Sequence, residues 1–258
     1  MRFIILVQRR IYKKMIWWII ATICAFFIKG LCGFANTLVF TTILSFGNNN
    51  INISPVELIL GYPSNAILAW KERRSIKWNI CIPLASLVIV GSIPGILFLK
   101  NTNTTLIKII FGFVIICIGT EMILREFQAK KMKQSKVALG IIGFLSGLLC
   151  GLYGIGALLG AYINRVTDDS HSFKANICVV FLVENTFRVI MYAVLGIITF
   201  QTMKQVIVLI PLMLLGLALG MFSSKIIDEK WVKKIVMIML IISGLALVIN
   251  SVVYTFSA

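Results

Sequence analysis

Long apolar runs separated by short basic segments form the main pattern of this sequence. Eight runs are continuous in their hydrophobicity and do not alternate with polar residues, which favours helices over strands. Because about 20 apolar residues are enough to cross a bilayer as a helix, we predict an all-α integral membrane protein with about eight transmembrane helices. The runs cover residues 15–46, 55–70, 78–99, 104–124, 137–163, 174–200, 205–224 and 235–253.

The first and fifth runs are longer than one straight helix requires, and both contain clustered glycines. Gly30 and Gly33 interrupt the first run, and seven glycines lie between positions 140 and 160 of the fifth. Each glycine in a helix interior costs about 1 kcal/mol relative to alanine. Two explanations stay open: a tilted, close-packed helix with a seam of small residues, or a broken helix with a re-entrant half. A break would expose backbone N–H groups that bind an anion.

The two halves of the chain resemble each other. The segment 30–34 has the sequence GLCGF and 151–155 has GLYGI, at an offset of 121, while two G-x-x-x-G pairs follow at an offset of 125. These matches predict two four-helix repeats, with the G-x-x-x-G pairs serving close helix packing. Four crossings return the chain to the same side, so we expect both repeats to share one orientation. The predicted domains are a basic N-terminus (1–14), the first repeat (15–126), a basic linker (127–136) and the second repeat (137–258).

Composition and charge exclude several classes of protein. Hydrophobic residues make up 59% of the chain and charged residues 13%, whereas soluble domains carry about 25% charge. This excludes a soluble enzyme and a nucleic-acid-binding domain. The net charge of +16 comes from basic clusters that lie between the apolar runs, where the signals that set membrane orientation also lie. We therefore expect no nucleic-acid partner. The six cysteines lack the spacing of metal ligands, so we expect no metal and no cofactor.

Counting Lys and Arg predicts the orientation in the membrane. If all eight runs cross, most basic residues fall on one side, including those of the N-terminus, 71–77 and 125–136. The positive-inside rule then makes this side and both termini cytoplasmic, in a multi-pass protein of the cell membrane.

Lys29, Glu184 and Arg188 lie well inside the apolar runs, where charge is costly and therefore suggests function. Lys29 precedes the first glycine cluster and suits an oxyanion, or alternatively extends its amine to the membrane interface. Glu184 and Arg188 are four residues apart on one helix face and can pair. The pair is either structural or functional, with Arg188 holding an anion and Glu184 carrying a coupling proton.

Amide side chains occupy related places in the two halves. Asn65 and Asn185 lie in the second span of each repeat, and Asn36 follows the first glycine cluster. They can donate to an oxyanion or brace the broken helices. Glu57 is expected at the outer interface, and Glu121 is expected to be structural.

These motifs resemble the TauE/SafE family of sulfite-exporter-like permeases. The residues that carry the resemblance are the Phe27, Gly30 and Gly33 pattern, the glycines from Gly147 to Gly156, and a G-x-x-x-G helix in each half. The similarity extends over residues 17–249. It implies transport of sulfur-containing anions such as sulfite or sulfonates, in either direction.

The resulting hypothesis is a secondary transporter, not an enzyme, that moves a small anion by alternating access, with proton coupling through Glu184. A passive anion channel and a non-transport membrane assembly subunit are the alternatives. The expected partners are a small anionic substrate and the lipid bilayer, with homo-oligomerisation left open. The predicted substrate-binding residues are Lys29, Gly30, Gly33, Asn36, Asn65, Gly151, Gly154, Asn185 and Arg188.

Overall fold

A computed structural model describes residues 2–45, 50–101, 136–167 and 169–227, together with single helical positions between 109 and 120 and between 231 and 249. Within these residues the chain is helical and contains no strand, which confirms the all-α prediction. Most of the predicted spans 104–124 and 235–253, most of the basic linker, and Glu121 lie outside the described residues.

The described helices overlap the predicted runs, but the first begins at Arg2 and the third at Asn50, ahead of the runs that start at positions 15 and 55. Four of the helices contain segments long and apolar enough to cross a membrane: Met15–Cys32, Trp78–Leu99, Ser170–Val194 and Phe200–Ser223. The helices are α1 (Arg2–Cys32), α2 (Asn36–Ser45), α3 (Asn50–Lys71), α4 (Trp78–Asn101), α5 (Lys136–Tyr153), α6 (Ala157–Val166), α7 (Ser170–Val194) and α8 (Phe200–Ser223), with a 3₁₀ turn (Arg73–Ser75) between α3 and α4.

Both glycine clusters break their helices, as the second of the two explanations predicts. Gly33 ends α1 at a φ of +86° and Gly154 ends α5 at a φ of +70°, a region that glycine enters without steric cost. Helices α2 and α6 have 10 residues each, about 15 Å, which is half the thickness of a bilayer core.

Helix α2 doubles back along α1. The ring of Phe40 lies 5.6 Å from that of Trp18, although the two residues would be about 30 Å apart if α2 continued the direction of α1. The first predicted span is therefore a re-entrant hairpin.

The G-x-x-x-G pairs pack helices closely, as predicted. Gly91 and Gly95 on α4 bring their Cα atoms against Gly147 and Gly151 on α5. On the other side, Gly216 and Gly220 on α8 lie against the α1 backbone from Ile23 to Gly30. In each case a Cβ atom would collide with the backbone of the neighbouring helix. The broken helix of each repeat thus packs against the third helix of the other repeat.

The two repeats run in opposite directions, so the expected shared orientation is wrong. The hydroxyl of Ser54 near the start of α3 shares a hydrogen bond of 2.9 Å with the hydroxyl of Tyr192 near the end of α7. Glu72, just after α3, contacts His171 at the start of α7 at 2.8 Å. The second helices of the two repeats are therefore antiparallel. The expectation failed because a re-entrant hairpin returns to its own side and adds no crossing.

The hairpin also changes which basic segments share a side. The end of α1 at Gly33 lies against the side chain of Lys174, near the start of α7. His171, at the same end of α7, contacts Glu72, which precedes the basic turn Arg73–Ser75. The end of α1 and the basic turn therefore lie at the same end of the helices. The start of α1 therefore lies at the opposite end of the helices from that turn. Grouping the N-terminus with 71–77, on which the cytoplasmic location of both termini rested, is wrong. The cellular location of each terminus is not tested by the fold.

Two helix boundaries between the sixth and seventh runs also differ from the prediction. The sixth run was expected to continue to residue 200, but α7 ends at Val194 and α8 already begins at Phe200. Thr199 caps α8 and forms a reciprocal capping box with Thr202. Because these two threonines satisfy the first free N–H groups of α8, the helix starts earlier than hydrophobicity alone predicts.

Candidate functional site

Six polar side chains meet between the two helix breaks, and all are buried. They come from three elements: the start of α2, the middle of α3 and the second half of α7. We call this set the central cluster; it consists of Asn36, Thr37, Glu57, Glu184, Asn185 and Arg188.

Glu57 connects the two breaks. Its Oε1 accepts hydrogen bonds from Asn36 Nδ2 at 2.5 Å and Thr37 Oγ1 at 2.7 Å, and both donors directly follow the first break. Its Oε2 lies 3.5 Å from Arg188 Nη2 and beside Gly154 in the second break. The carboxylate is 3% exposed. The expectation that Glu57 is interfacial is therefore wrong, because α3 begins at Asn50 and places residue 57 about 10 Å inside the helix.

Arg188 holds the second break from the side of α7. Its Nη1 donates to the backbone oxygen of Cys150 at 2.7 Å, and the same oxygen accepts the N–H of Gly154, the last helical hydrogen bond of α5, at 2.7 Å. The guanidinium also lies over the ring of Tyr192, at 5.5 Å from its centroid. The glycine at position 154 allows this approach, because a Cβ atom there would lie 2.9 Å from Arg188 Nη2.

Glu184 is the second carboxylate near Arg188. Its Oε1 lies 3.5 Å from Arg188 Nη1, which confirms the pairing predicted from their spacing of four residues. Within the described part of the chain, neither oxygen of Glu184 accepts a hydrogen bond, and Arg188 Nε makes none. Ser92 is a neighbour, but its hydroxyl donates to the Val88 carbonyl instead. The coupling role of Glu184 stays a prediction.

Gly61 leaves space at the crossing of α3 and α7. A Cβ atom built there would lie 3.2 Å from Glu57 Oε1, 3.6 Å from Asn36 Nδ2 and 3.9 Å from Asn185 Nδ2. This position differs from the glycines of the packing seams, whose Cβ atoms would meet backbone. Amide donors from both repeats therefore converge on one small space beside α3.

The other predicted site residues are placed as follows. Lys29 is 1% exposed and within electrostatic range of Glu57, so the alternative that its amine reaches the interface is wrong; its role as a ligand stays a prediction. Asn65 is buried one turn beyond Gly61, and its Oδ1 has no hydrogen-bond partner among the described residues. Gly30 and Gly151 lie in the packing seams, whereas Gly33 and Gly154 lie in the breaks.

The structure thus brings together Asn36, Gly154, Glu184, Asn185 and Arg188 of the predicted set. It adds Thr37, Glu57 and Gly61, which sequence analysis did not assign to the site. The sequence did contain a signal for Thr37, because this polar residue directly follows Asn36 after the first glycine cluster. No group of three or more metal-ligand side chains occurs among the described residues.

Within the described residues the packing seams and the breaks lie between positions 23 and 220, and one family profile covers this whole region. The profile of the Sulfite exporter TauE/SafE family matches residues 18–247. The chain belongs to the TauE/SafE family. No curated protein and no solved structure matches it significantly. As a TauE/SafE protein it is a multi-pass membrane protein of a transporter family, and the matched region contains both breaks and the entire central cluster.

Proposed function

We propose that this TauE/SafE protein is a secondary transporter for a small anion, with a sulfur oxyanion or an organosulfonate as substrate. The observation that carries the proposal is the convergence of Asn36, Asn185 and Arg188 donors from both repeats between two helix breaks. Such donors match the oxygen atoms of a sulfonate or sulfite, and a buried arginine binds an oxyanion through charge-assisted hydrogen bonds.

The inverted relation of the repeats supports alternating access. Transporters with inverted repeats bind substrate at the repeat interface and expose it to either side by rocking one repeat against the other. Here, Glu57 of the first repeat contacts Arg188 of the second. The proposed substrate site therefore lies where a relative movement of the repeats changes access.

Flux measurements test the proposal. Wild-type protein in liposomes is expected to accumulate methanesulfonate against its gradient when an ion gradient is imposed. A passive channel gives equilibration without accumulation, and an assembly subunit gives no flux above that of protein-free liposomes. Arg188→Ala and Lys29→Ala are expected to abolish flux. Full flux in both folded variants would contradict the proposed anion site.

We also propose the cell membrane as the location, with the end of the bundle that carries Arg73–Ser75 facing the cytoplasm. This end carries four Lys and Arg residues from 71–77. The start of α5 and the end of α8 lie at the same end, because the glycine contacts make α5 parallel to α4 and α8 parallel to α1, and further Lys and Arg residues are next to both in sequence. The positive-inside rule favours the cytoplasm for that end. The start of α1 then lies on the other side, which revises the cytoplasmic N-terminus expected from sequence.

A further inference from the structure

The donors best suited to bind an anion already have an internal partner. Asn36 Nδ2 and Thr37 Oγ1 donate to one oxygen of Glu57, and Arg188 Nη2 is within 3.5 Å of the other. Two carboxylate oxygens therefore take the positions that two oxygens of a sulfonate or sulfite would need. A substrate anion and the ionised Glu57 side chain compete for the same three groups.

We propose that Glu57 couples anion binding to the uptake of one proton, an inference that rests on the proposed function. When Glu57 takes up a proton, its carboxyl group loses the charge that pairs with Arg188, and the arginine pairs with the substrate instead. One proton and one monoanion enter the cluster together and leave it together. When the proton returns to water on the far side, the carboxylate pairs with Arg188 again.

The charges around Glu57 favour this exchange. Helix α7 contributes Arg188, Glu184 and the phenol of Tyr192; α1 contributes Lys29; and α5 contributes the thiol of Cys150. From α2 come only the uncharged Asn36 and Thr37, and the buried face of α8 is apolar apart from Thr202. With both carboxylates ionised, the two cations are already balanced. A further anion in this buried cluster would be uncompensated unless a proton accompanies it.

Geometry distinguishes Glu57 from Glu184. Glu57 contacts donors from both breaks, whereas neither oxygen of Glu184 accepts a hydrogen bond within the described residues. If Glu184 were protonated, Asn36, Thr37 and Arg188 Nη2 would all keep their contacts with the Glu57 carboxylate. Protonating Glu57 weakens all three contacts at once.

The pH dependence of binding tests this proposal. Methanesulfonate is a suitable probe because it stays a monoanion across the range from pH 5 to 8, so any pH dependence of its binding comes from the protein. For the purified wild type we expect the dissociation constant to rise towards tenfold per pH unit at the alkaline end. Glu57→Gln is expected to bind with a constant that hardly changes with pH, and the matched Glu184→Gln variant is expected to keep the wild-type slope. A wild-type slope in Glu57→Gln, or its loss only in Glu184→Gln, would overturn the proposal.

Proton uptake by the wild type provides a test that needs no variant. In weakly buffered solution with a pH indicator, binding of methanesulfonate should remove about one proton from solution per bound anion. Binding without proton uptake would overturn the role of Glu57 and leave the anion site intact. If methanesulfonate, sulfite and other sulfonates fail to bind the wild type at any pH, the proposed function itself fails.

Discussion

Ser54 and Tyr192 share a hydrogen bond of 2.9 Å that joins the start of α3 to the end of α7. Together with the contact between Glu72 and His171 at the other end, it makes these two helices antiparallel. The repeats therefore face opposite sides of the membrane. Each repeat presents its break to the same polar cluster, an arrangement that recurs in transporters built from inverted repeats.

The inverted arrangement predicts the sidedness of three positions. A membrane-impermeant maleimide applied to intact cells should label Lys13→Cys and Lys204→Cys from the outside. The close approach of Gly216 to Ile23 and of Gly220 to Phe27 makes α1 and α8 parallel, so both helices start at the same end. Arg74→Cys should react only after the cells are opened. The protein with its native cysteines alone gives the background. Labelling of Lys13→Cys and Arg74→Cys from the same side would contradict the topology.

The packing seam between α4 and α5 predicts a large loss of stability from a single side chain. In Gly91→Leu the new Cβ would collide with the backbone of Phe144, and in Gly147→Leu with that of Val88. Overpacking of this kind costs about 1–3 kcal/mol or more, so the melting temperature in detergent should fall sharply. Gly140→Ala is the matched control, since nothing lies within 4 Å of its Cβ position, and its melting temperature should be unchanged or higher.

The space beside Gly61 predicts a variant that impairs binding more than folding. In Gly61→Ala the atoms nearest the methyl group would be the side-chain ends of Glu57, Asn36 and Asn185, at 3.2 to 3.9 Å. These side chains can shift by a few tenths of an ångström, so the melting temperature should change little. Methanesulfonate affinity should drop about tenfold or more, which corresponds to 1.4 kcal/mol. Wild-type affinity in this variant would show that the anion does not use this space.

The N-terminus of α7 predicts a pH-dependent contribution to stability outside the membrane. Asp169 accepts hydrogen bonds from the Ser172 backbone N–H and hydroxyl, each at 2.8 Å, and these bonds lower the pKa of its carboxyl group. The stabilisation is present above the ordinary pKa of an aspartate and is lost as the pH falls through the lowered value. Asp169→Ala should cost about 1 kcal/mol near neutral pH.

Thermal unfolding between pH 3 and 7 measures this contribution. The difference in stability between wild type and Asp169→Ala should shrink as the solution becomes acidic. Asp169→Asn, which keeps a capping oxygen, should retain much of the stability without this pH dependence. A difference that stays constant over the whole range would exclude the role of the charged cap.

The packing seams were predictable from sequence, and the breaks were one of the two explanations that the sequence left open, because each has a local chemical cause. The glycines at positions 33 and 154 end their helices in a conformation that other residues avoid, and the pair Gly91 and Gly95 marks a close approach of two backbones. The pairing of Glu184 with Arg188 was likewise predictable, since both lie on one helix face.

Orientation and the importance of Glu57 were not predictable in the same way. A re-entrant hairpin and a crossing helix have the same apolar composition, so hydropathy cannot count the crossings. Glu57 is buried because α3 already begins at Asn50. The polar residues just before position 55 made this earlier start impossible to recognise from hydropathy. The contact of Glu57 with Arg188 joins residues 131 positions apart, and only the fold brings them together.

The most direct test of the anion site measures methanesulfonate binding to a double variant in which both charges of the Glu57 and Arg188 pair are removed. Replacing Arg188 alone would leave two buried carboxylates without their cation, which destabilises proteins strongly. The double variant Glu57→Gln with Arg188→Gln removes both charges of the pair, and Glu57→Gln alone keeps the arginine. Calorimetry with methanesulfonate at pH 6 should show binding to wild type and to Glu57→Gln, and none to the folded double variant. Binding to the double variant with wild-type affinity would contradict the assignment of Arg188 as the group that holds the anion.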